Sequence, residues 1–275
     1  MTSPLTASLQ PLRDVIRRFD LRAHKSLGQN FLLDLNLTAR IARAAGDLAG
    51  ANVVEIGPGP GGLTRALLAA NARVTAIERD PRCVAALGEL VAVYPDRLRI
   101  VEADALETPL AELAPAPRKV VANLPYNIAT PLLIGWLADL AGTTGFTLMF
   151  QREVADRLAA KPGTKAYGRL SVITQWLCEV KPQLNLPKDA FTPPPKVMST
   201  VVNLTPRAAP LASAEMAVLE RVTKSAFGQR RKMLRASLKP LGLDLALAGV
   251  DPTARAEELS VVEFCALARA LAALA

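Results

Sequence analysis

The sequence predicts an open, doubly wound α/β sheet followed by a small all-helical domain. Three observations carry that expectation. Short apolar runs alternate with helix-period segments over roughly the first two-thirds of the chain. Most of those runs are largely apolar, as parallel strands covered by helices on both faces must be. After Pro206 the texture changes to Ala- and Leu-rich segments of helical period.

The elements follow in order. A helix is expected to begin near Asp34. Asn52–Ile56 reads as a short buried strand, followed by a glycine-proline loop and a helix over Leu63–Ala70. Val74–Glu78 is a second strand, and Pro81–Val93 a helix with proline at its permitted first position. Leu98–Val101 is a third strand leading to Asp104, Lys119–Ala122 a fourth and Phe146–Phe150 a fifth. Leu184–Leu186 and Ser199–Leu204 read as added strands around a proline-rich turn. Arg207–Pro210 reads as a linker. The expected division is therefore a sheet domain over 1–206 and a helical domain over 211–275.

Composition bounds the chemistry. Of 275 residues, 51% are hydrophobic and 21% charged, which supports a sizeable core and excludes wholesale disorder. Lys and Arg total 33 against 25 for Asp and Glu, a net charge of +8 that favours a polyanionic partner. The mean hydropathy of +0.22 is high, yet no run approaches the ~18 uninterrupted apolar residues a spanning helix needs. No basic-then-apolar leader opens the chain, so a soluble protein without membrane contact is expected. Cys83, Cys178 and Cys265 are widely separated in apolar surroundings, the pattern of buried thiols in a reducing cytoplasm. His24 is the single histidine, which excludes multi-histidine metal sites and disfavours triad hydrolysis. No metal is expected.

Glu55-Ile56-Gly57-Pro58-Gly59-Pro60-Gly61-Gly62 lies between an expected strand and helix, where glycines let backbone approach a ligand. Glu78 follows at the tip of the next strand, at the spacing where an acid accepts both hydroxyls of an adenosine ribose. Such a loop is otherwise an ordinary tight turn with a solvated glutamate. A dinucleotide would seat its pyrophosphate on the helix N-terminus, but Glu55 would repel it. S-Adenosylmethionine has a cationic amino-acid end and no phosphate. Asp104 is placed to accept from its adenine amino group, the plainer alternative being a helix cap. The sheet is thus expected to be Rossmann-like, of the S-adenosylmethionine-dependent methyltransferase type.

Asn123-Leu124-Pro125-Tyr126 closes the fourth strand. An adenine amino nitrogen is a poor nucleophile because its lone pair delocalises into the ring. Acceptance of its hydrogens by Asn123 and by a carbonyl of a rigid proline turn would aim the lone pair outward. Tyr126 would stack on the extruded base. Alignment then matters more than a strong base.

These motifs resemble the ribosomal RNA adenine N6-dimethyltransferases, most closely the bacterial small-subunit branch. The resemblance runs through His24–Leu32, the glycine loop, Glu78, Asp104 and the tetrapeptide. It continues through Gln151–Arg157, Tyr167–Val172, Phe191–Val197 and Phe227–Arg235. It implies that Asn30 and Leu32 close over the cofactor, with Gly57, Glu78, Asp104 and Asn123 lining its site. It also implies that Phe191 stacks on the target base opposite Tyr126; simple core packing is the alternative.

Two basic segments fit an RNA substrate: Arg13, Arg17, Arg18, Arg22 and Lys25, and then Lys224, Arg230, Arg231, Lys232, Arg235 and Lys239. Arg230, Arg231, Lys232 and Arg235 are the expected RNA-binding residues, most of them positioning rather than reading the RNA. The resemblance implies dimethylation of two adjacent adenosines in the 3′-terminal hairpin of small-subunit (16S) rRNA, within a partly assembled 30S particle. The product of each transfer is S-adenosylhomocysteine, and the enzyme is expected to be a monomer. The alternatives are a large-subunit rRNA methyltransferase of the macrolide-resistance type, against which Leu124 argues, and a non-catalytic ribosome-assembly protein. An NAD oxidoreductase is more distant.

Overall fold

The computed structural model describes residues 9–21 and 29–274. His24, Arg22, Lys25 and the rest of the 24–28 part of the first motif lie outside the described residues. In chain order the elements are α1 (Leu12–Arg18), β1 (Phe31–Leu32), α2 (Leu35–Ala44), β2 (Asn52–Ile56), α3 (Gly62–Ala69), β3 (Arg73–Glu78) and α4 (Pro81–Val93). Then come β4 (Leu98–Glu102), α5 (Leu110–Leu113), β5 (Arg118–Asn123), α6 (Ala129–Ala138), β6 (Thr143–Gln151), α7 (Arg152–Ala159) and α8 (Arg169–Leu177). The remainder is β7 (Cys178–Leu186), β8 (Phe191–Thr192), β9 (Ser199–Pro206), α9 (Met216–Gly228), α10 (Leu234–Ser237) and α11 (Val261–Ala272).

Packing divides the chain into two compact units, Met1–Arg152 with Pro182–Leu204, and Glu153–Lys181 with Thr205–Ala275. The expected single cut between 206 and 211 is thus incomplete, because the chain also leaves the first unit after 152 and re-enters it at 182. The reason is packing: α8 buries Val172, Ile173 and Trp176 among the C-terminal helices, which the sequence periodicity of either segment alone could not reveal.

The first unit is built on a sheet of order β4-β3-β2-β5-β6-β9-β7. Strands β2 to β6 run parallel, and β9 is antiparallel to β6. Their apolar runs are needed because both faces are covered: Val53, Val54, Ala76, Val120, Val121 and Ala122 are fully buried. The five expected strands all form. The segment Leu184–Leu186 is only the end of β7, most of whose residues are exposed; a polar edge strand containing Pro182 carries little alternation. Because β3 and β4 lie on one side of β2, and β5 and β6 on the other, a crevice opens beyond the C-terminal ends of β2 and β5. A separate antiparallel pair joins Phe31 to Thr192 and Leu32 to Phe191.

The second unit is helical. Helix α9 buries Leu219, Val222 and Ala226, and α11 buries Phe264, Cys265, Leu267 and Ala268. Ser260 caps α11: its Oγ accepts from Glu263 N–H at 3.2 Å, while the Glu263 carboxylate accepts from Ser260 N–H at 2.7 Å. The expected linker is not loose. Arg207 N–H and Leu211 N–H donate to the Leu177 and Trp176 carbonyls, both at 2.8 Å, and Trp176 Nε1 donates to Ala212 O at 2.7 Å. The three cysteines are buried thiols. Among the described residues no helix is long and apolar enough to cross a membrane.

Candidate active site

The crevice at the strand ends is a pocket. Its walls are the loop after β2, Ile77–Arg79 at the end of β3, Ala103–Ala105 after β4, Asn123–Ile128 after β5, and Gln29–Leu32. Asn30, Leu32, Gly57, Glu78, Asp104 and Asn123 all line it, as do Leu124, Pro125 and Tyr126. Four parallel strands end at one edge and bring Glu55 to Ile128 together, and Gln29–Leu32 joins them through the hydrogen bond from Asn123 to Asn30 O.

Two glycines explain the shape of the loop. Gly59 has φ +55°, and a Cβ there would lie 3.0 Å from the Phe31 ring. Its N–H donates to Glu78 Oε2 at 3.1 Å. Gly62 opens α3 where a Cβ would come within 2.5 Å of the Leu32 carbonyl oxygen. The Leu32 carbonyl therefore lies against the start of α3, an unfavourable neighbour for a phosphate there.

The electrostatics point the same way. Glu78 is buried, and its Oε1 accepts from Arg79 N–H and Asp80 N–H, each at 2.9 Å. Burial raises its pKa while these amides and Gly59 pull it down. Asp80 caps α4 by accepting from Arg82 N–H at 3.1 Å; the Arg82 guanidinium beside it holds its carboxyl down to about 2. Asp104 serves two partners: Oδ1 accepts from Leu106 N–H at 2.9 Å, and Oδ2 from Arg79 at 3.0 Å. Asp104 thus closes a turn over Ala105–Glu107 and caps no helix, since the next helix begins only at Leu110 behind Pro109. Glu55, 1% exposed in β2, also lines the pocket.

The charged lining is therefore Glu55, Glu78 and Asp104, with Arg79 as the cation among the lining residues and already paired to Asp104. Such a lining fits a nucleoside carrying a positive amino-acid end and opposes a pyrophosphate. It matches the demands of S-adenosylmethionine.

Asn123 Nδ2 donates to Asn30 O at 3.1 Å, so Oδ1 is left as the acceptor of that side chain. Tyr126 Oη and Ser199 Oγ share a hydrogen bond of 2.6 Å, which fixes the phenol on the first residue of β9. Phe191 is elsewhere. At 2% exposure it packs in the apolar cluster with Leu32 and Val201 and is not part of the pocket lining. Sequence reasoning missed Phe31, Arg79 and Ser199. Only Arg79 carried a signal, a cation directly after the ribose-type acid.

The basic residues of the second unit are not equivalent. Arg230 donates to Lys165 O at 3.0 Å and Tyr167 O at 2.8 Å, pairs with Glu257 at 3.4 Å and lies 5.6 Å over the Phe227 ring. Its guanidinium is committed inside its own unit. Arg231, Lys232 and Arg235 are exposed, as are Arg221, Lys224 and Lys239. Near the N-terminus Arg18 pairs with Glu89, and Arg17 with Asp14 at 3.6 Å.

Comparison with known proteins decides the family. The profile of the family described as ribosomal RNA adenine dimethylase matches residues 20–273. The chain belongs to the ribosomal RNA adenine dimethylase family. Within it, this dimethylase-family chain is 64% identical over 267 residues to the ribosomal RNA small subunit methyltransferase A of Rhodospirillum rubrum, covering 96% of this chain and 93% of the relative. It is 63% identical to the protein of that name from Paramagnetospirillum magneticum, covering 96% of each. Among solved structures, a dimethyladenosine transferase from Plasmodium falciparum aligns with TM-score 0.72 and 25% identity, over 85% of this chain and 94% of that one. The 23S rRNA methyltransferase ErmE aligns with TM-score 0.67 and 31% identity, over 88% and 100%.

Proposed function

We propose that this member of the dimethylase family uses S-adenosylmethionine to dimethylate the N6 amino groups of two adjacent adenosines in the 3′-terminal hairpin of small-subunit rRNA. The observation that carries the chemistry is Asn123, whose nitrogen is spent on Asn30 and whose oxygen remains to accept a substrate hydrogen. Bound in the pocket, S-adenosylmethionine supplies an electrophilic methyl group on a sulfonium. Glu78 accepts the ribose hydroxyls, Asp104 accepts from the adenine amino group, and Asn30, Leu32 and Gly57 close the cofactor's surroundings. Asn123 and a carbonyl of the Leu124-Pro125 turn accept the two hydrogens of the target nitrogen, which frees its lone pair. Tyr126, held by Ser199, stacks on the extruded base. Phe191 is the second stacking ring in this reading, which requires it to leave its apolar cluster when RNA binds.

No strong base is required, since alignment does most of the work. Four transfers would complete the reaction, each replacing one N6 hydrogen with a methyl group and releasing S-adenosylhomocysteine and one proton to solvent. Exposed Arg231, Lys232 and Arg235 contact rRNA phosphates, and Arg230 supports the surface that carries them. The enzyme acts as a monomer in the cytoplasm on a partly assembled 30S particle. The relatives at 63–64% identity bear the small-subunit name, against 31% for the 23S enzyme, which supports the small-subunit reading over the large-subunit one.

The test is incubation with unmethylated small subunits and labelled cofactor, followed by mapping of modified nucleotides. Label on two adjacent adenosines of the 3′-terminal hairpin is the expected result. Label confined to large-subunit RNA in a parallel reaction would transfer the assignment to that branch, and none in either would leave a non-catalytic assembly protein.

A further inference from the structure

We infer that Lys165 and Arg169, on the segment between α7 and α8 and at its junction with α8, bind rRNA phosphates on one surface with Arg231 and Lys232. The inference rests on the rRNA reading of the substrate. The two segments are remote in sequence but belong to the same compact unit. Arg230 joins them. Its guanidinium donates to Lys165 O at 3.0 Å and to Tyr167 O at 2.8 Å, and a Cβ on Gly168 would stand 3.8 Å from it. The backbone leading into Arg169 is thus seated against the guanidinium of the residue that precedes Arg231.

The loop is held while its cations are left open. Gly163, at φ +83°, donates its N–H to Glu257 O at 2.7 Å, and the Glu257 carboxylate pairs with Arg230 at 3.4 Å. The Tyr167 ring meets Phe227 edge-on, with centroids 6.0 Å apart. Residues 163–168 are therefore fixed on Phe227, Arg230 and Glu257. Lys165 and Arg169 are exposed, as are Arg231 and Lys232. Among the described residues none of these four pairs with an acid, and the nearby Glu257 is already taken by Arg230.

Arg169 opens α8, where the helix dipole disfavours a cation and no acid in the first turn offsets it. Four unpaired cations on two adjoining segments also repel one another. For the unit alone this arrangement is unfavourable; a polyanion turns it favourable by releasing counterions. A cation carried on a fixed backbone loses less freedom on binding than one on a loose chain. A phosphodiester backbone offers its charges in a row, which suits cations drawn from two neighbouring segments. Contacts of this kind position RNA without reading its sequence.

The experiment measures binding of the intact protein to unmethylated small subunits, and to protein-free small-subunit rRNA, over a series of salt concentrations. Lys165→Gln with Arg169→Gln should lower the slope of log affinity against log salt by about one to two in magnitude, and weaken binding roughly tenfold or more near about 0.1 M salt, for both ligands. The charge-keeping pair Lys165→Arg with Arg169→Lys should retain the wild-type slope; its loss there would mark a structural effect and overturn the inference. So would a slope left unchanged by the Gln pair. A loss seen with particles alone would assign these cations to an acidic ribosomal protein and overturn it too. Hydroxyl radicals read whether the surface is one. Lys165→Cys and Lys232→Cys, each carrying tethered iron-EDTA, should cut overlapping nucleotides of one rRNA helix, because Cys83, Cys178 and Cys265 are buried and escape the label. Cuts in separate helices would mean two sites. Wild-type protein that binds neither ligand in a salt-dependent way would instead remove the rRNA reading, and the inference with it.

Discussion

Asn123 sits at the last position of β5, with its amide nitrogen donated to Asn30 O at 3.1 Å. The bond sets which end of the amide faces a substrate without any strong base nearby. An acceptor for the target nitrogen gains strength as that nitrogen becomes tetrahedral, so it lowers the barrier more than it tightens binding. Asn123→Ala should therefore slow single-turnover methylation by about a hundredfold or more at saturating cofactor, with affinity for the ribosomal particle near wild type. Near-normal turnover would refute the role. Tyr126→Ala should also be slow. Tyr126→Phe keeps the ring but loses the 2.6 Å bond to Ser199, so its rate should change little while stability falls by about 1 kcal/mol.

At the scale of elements, α3 packs closely against β1. Adding a methyl at Gly62 brings it within 2.5 Å of the Leu32 carbonyl, and a backbone atom cannot swing aside as a side chain can. Gly62→Ala should destabilise by roughly 1–3 kcal/mol and weaken S-adenosylhomocysteine binding, since Leu32 and Asn30 line the pocket. Thermal melts with and without ligand would show both. An unchanged Tm would mean that the strand yields freely. The segment between α9 and α10 divides differently from its sequence: Arg230 is half-buried and bonded within its own unit, whereas Arg231 and Lys232 are exposed. The double reversal Arg231→Glu with Lys232→Glu should weaken binding to the particle and flatten its dependence on salt, leaving S-adenosylhomocysteine affinity intact. An unaltered salt slope would mark both as merely solvated. Arg230→Ala should lower stability instead, because two carbonyls and Glu257 lose their partner.

For the whole molecule, the two units change where the chain can be cut. The helical unit contains Glu153–Lys181 as well as the C-terminal segment. A fragment ending at Pro206 would keep α7 and α8 but lose α9 and α11, leaving the face of α8 that packs against those two helices without cover. Such a fragment should aggregate or melt broadly at low temperature, as measured by light scattering and circular dichroism. A cooperative, monomeric melt would show that the first unit tolerates the orphaned helices.

The sheet and much of the pocket were legible in the residues because each depends on local rules. Apolar runs at strand spacing, Pro81 at a helix start and acids at strand tips need no knowledge of distant partners. Helix α4 spans Pro81–Val93 as its period requires, and the glycine loop, Glu78 and Asp104 meet in one pocket, which Asn30 and Leu32, implied only by the family resemblance, also line. Other features depend on partners far away in sequence. Period and composition do not reveal that 153–181 belongs with the C-terminal helices, that Phe191 packs with Leu32, or that Arg230 turns inward. Nor do they show that Glu55 is buried with an unmet oxygen. Strand propensity and turn chemistry act over a few residues, whereas burial, and hence the charge state of a carboxyl or the availability of a guanidinium, is decided only when remote segments close around it.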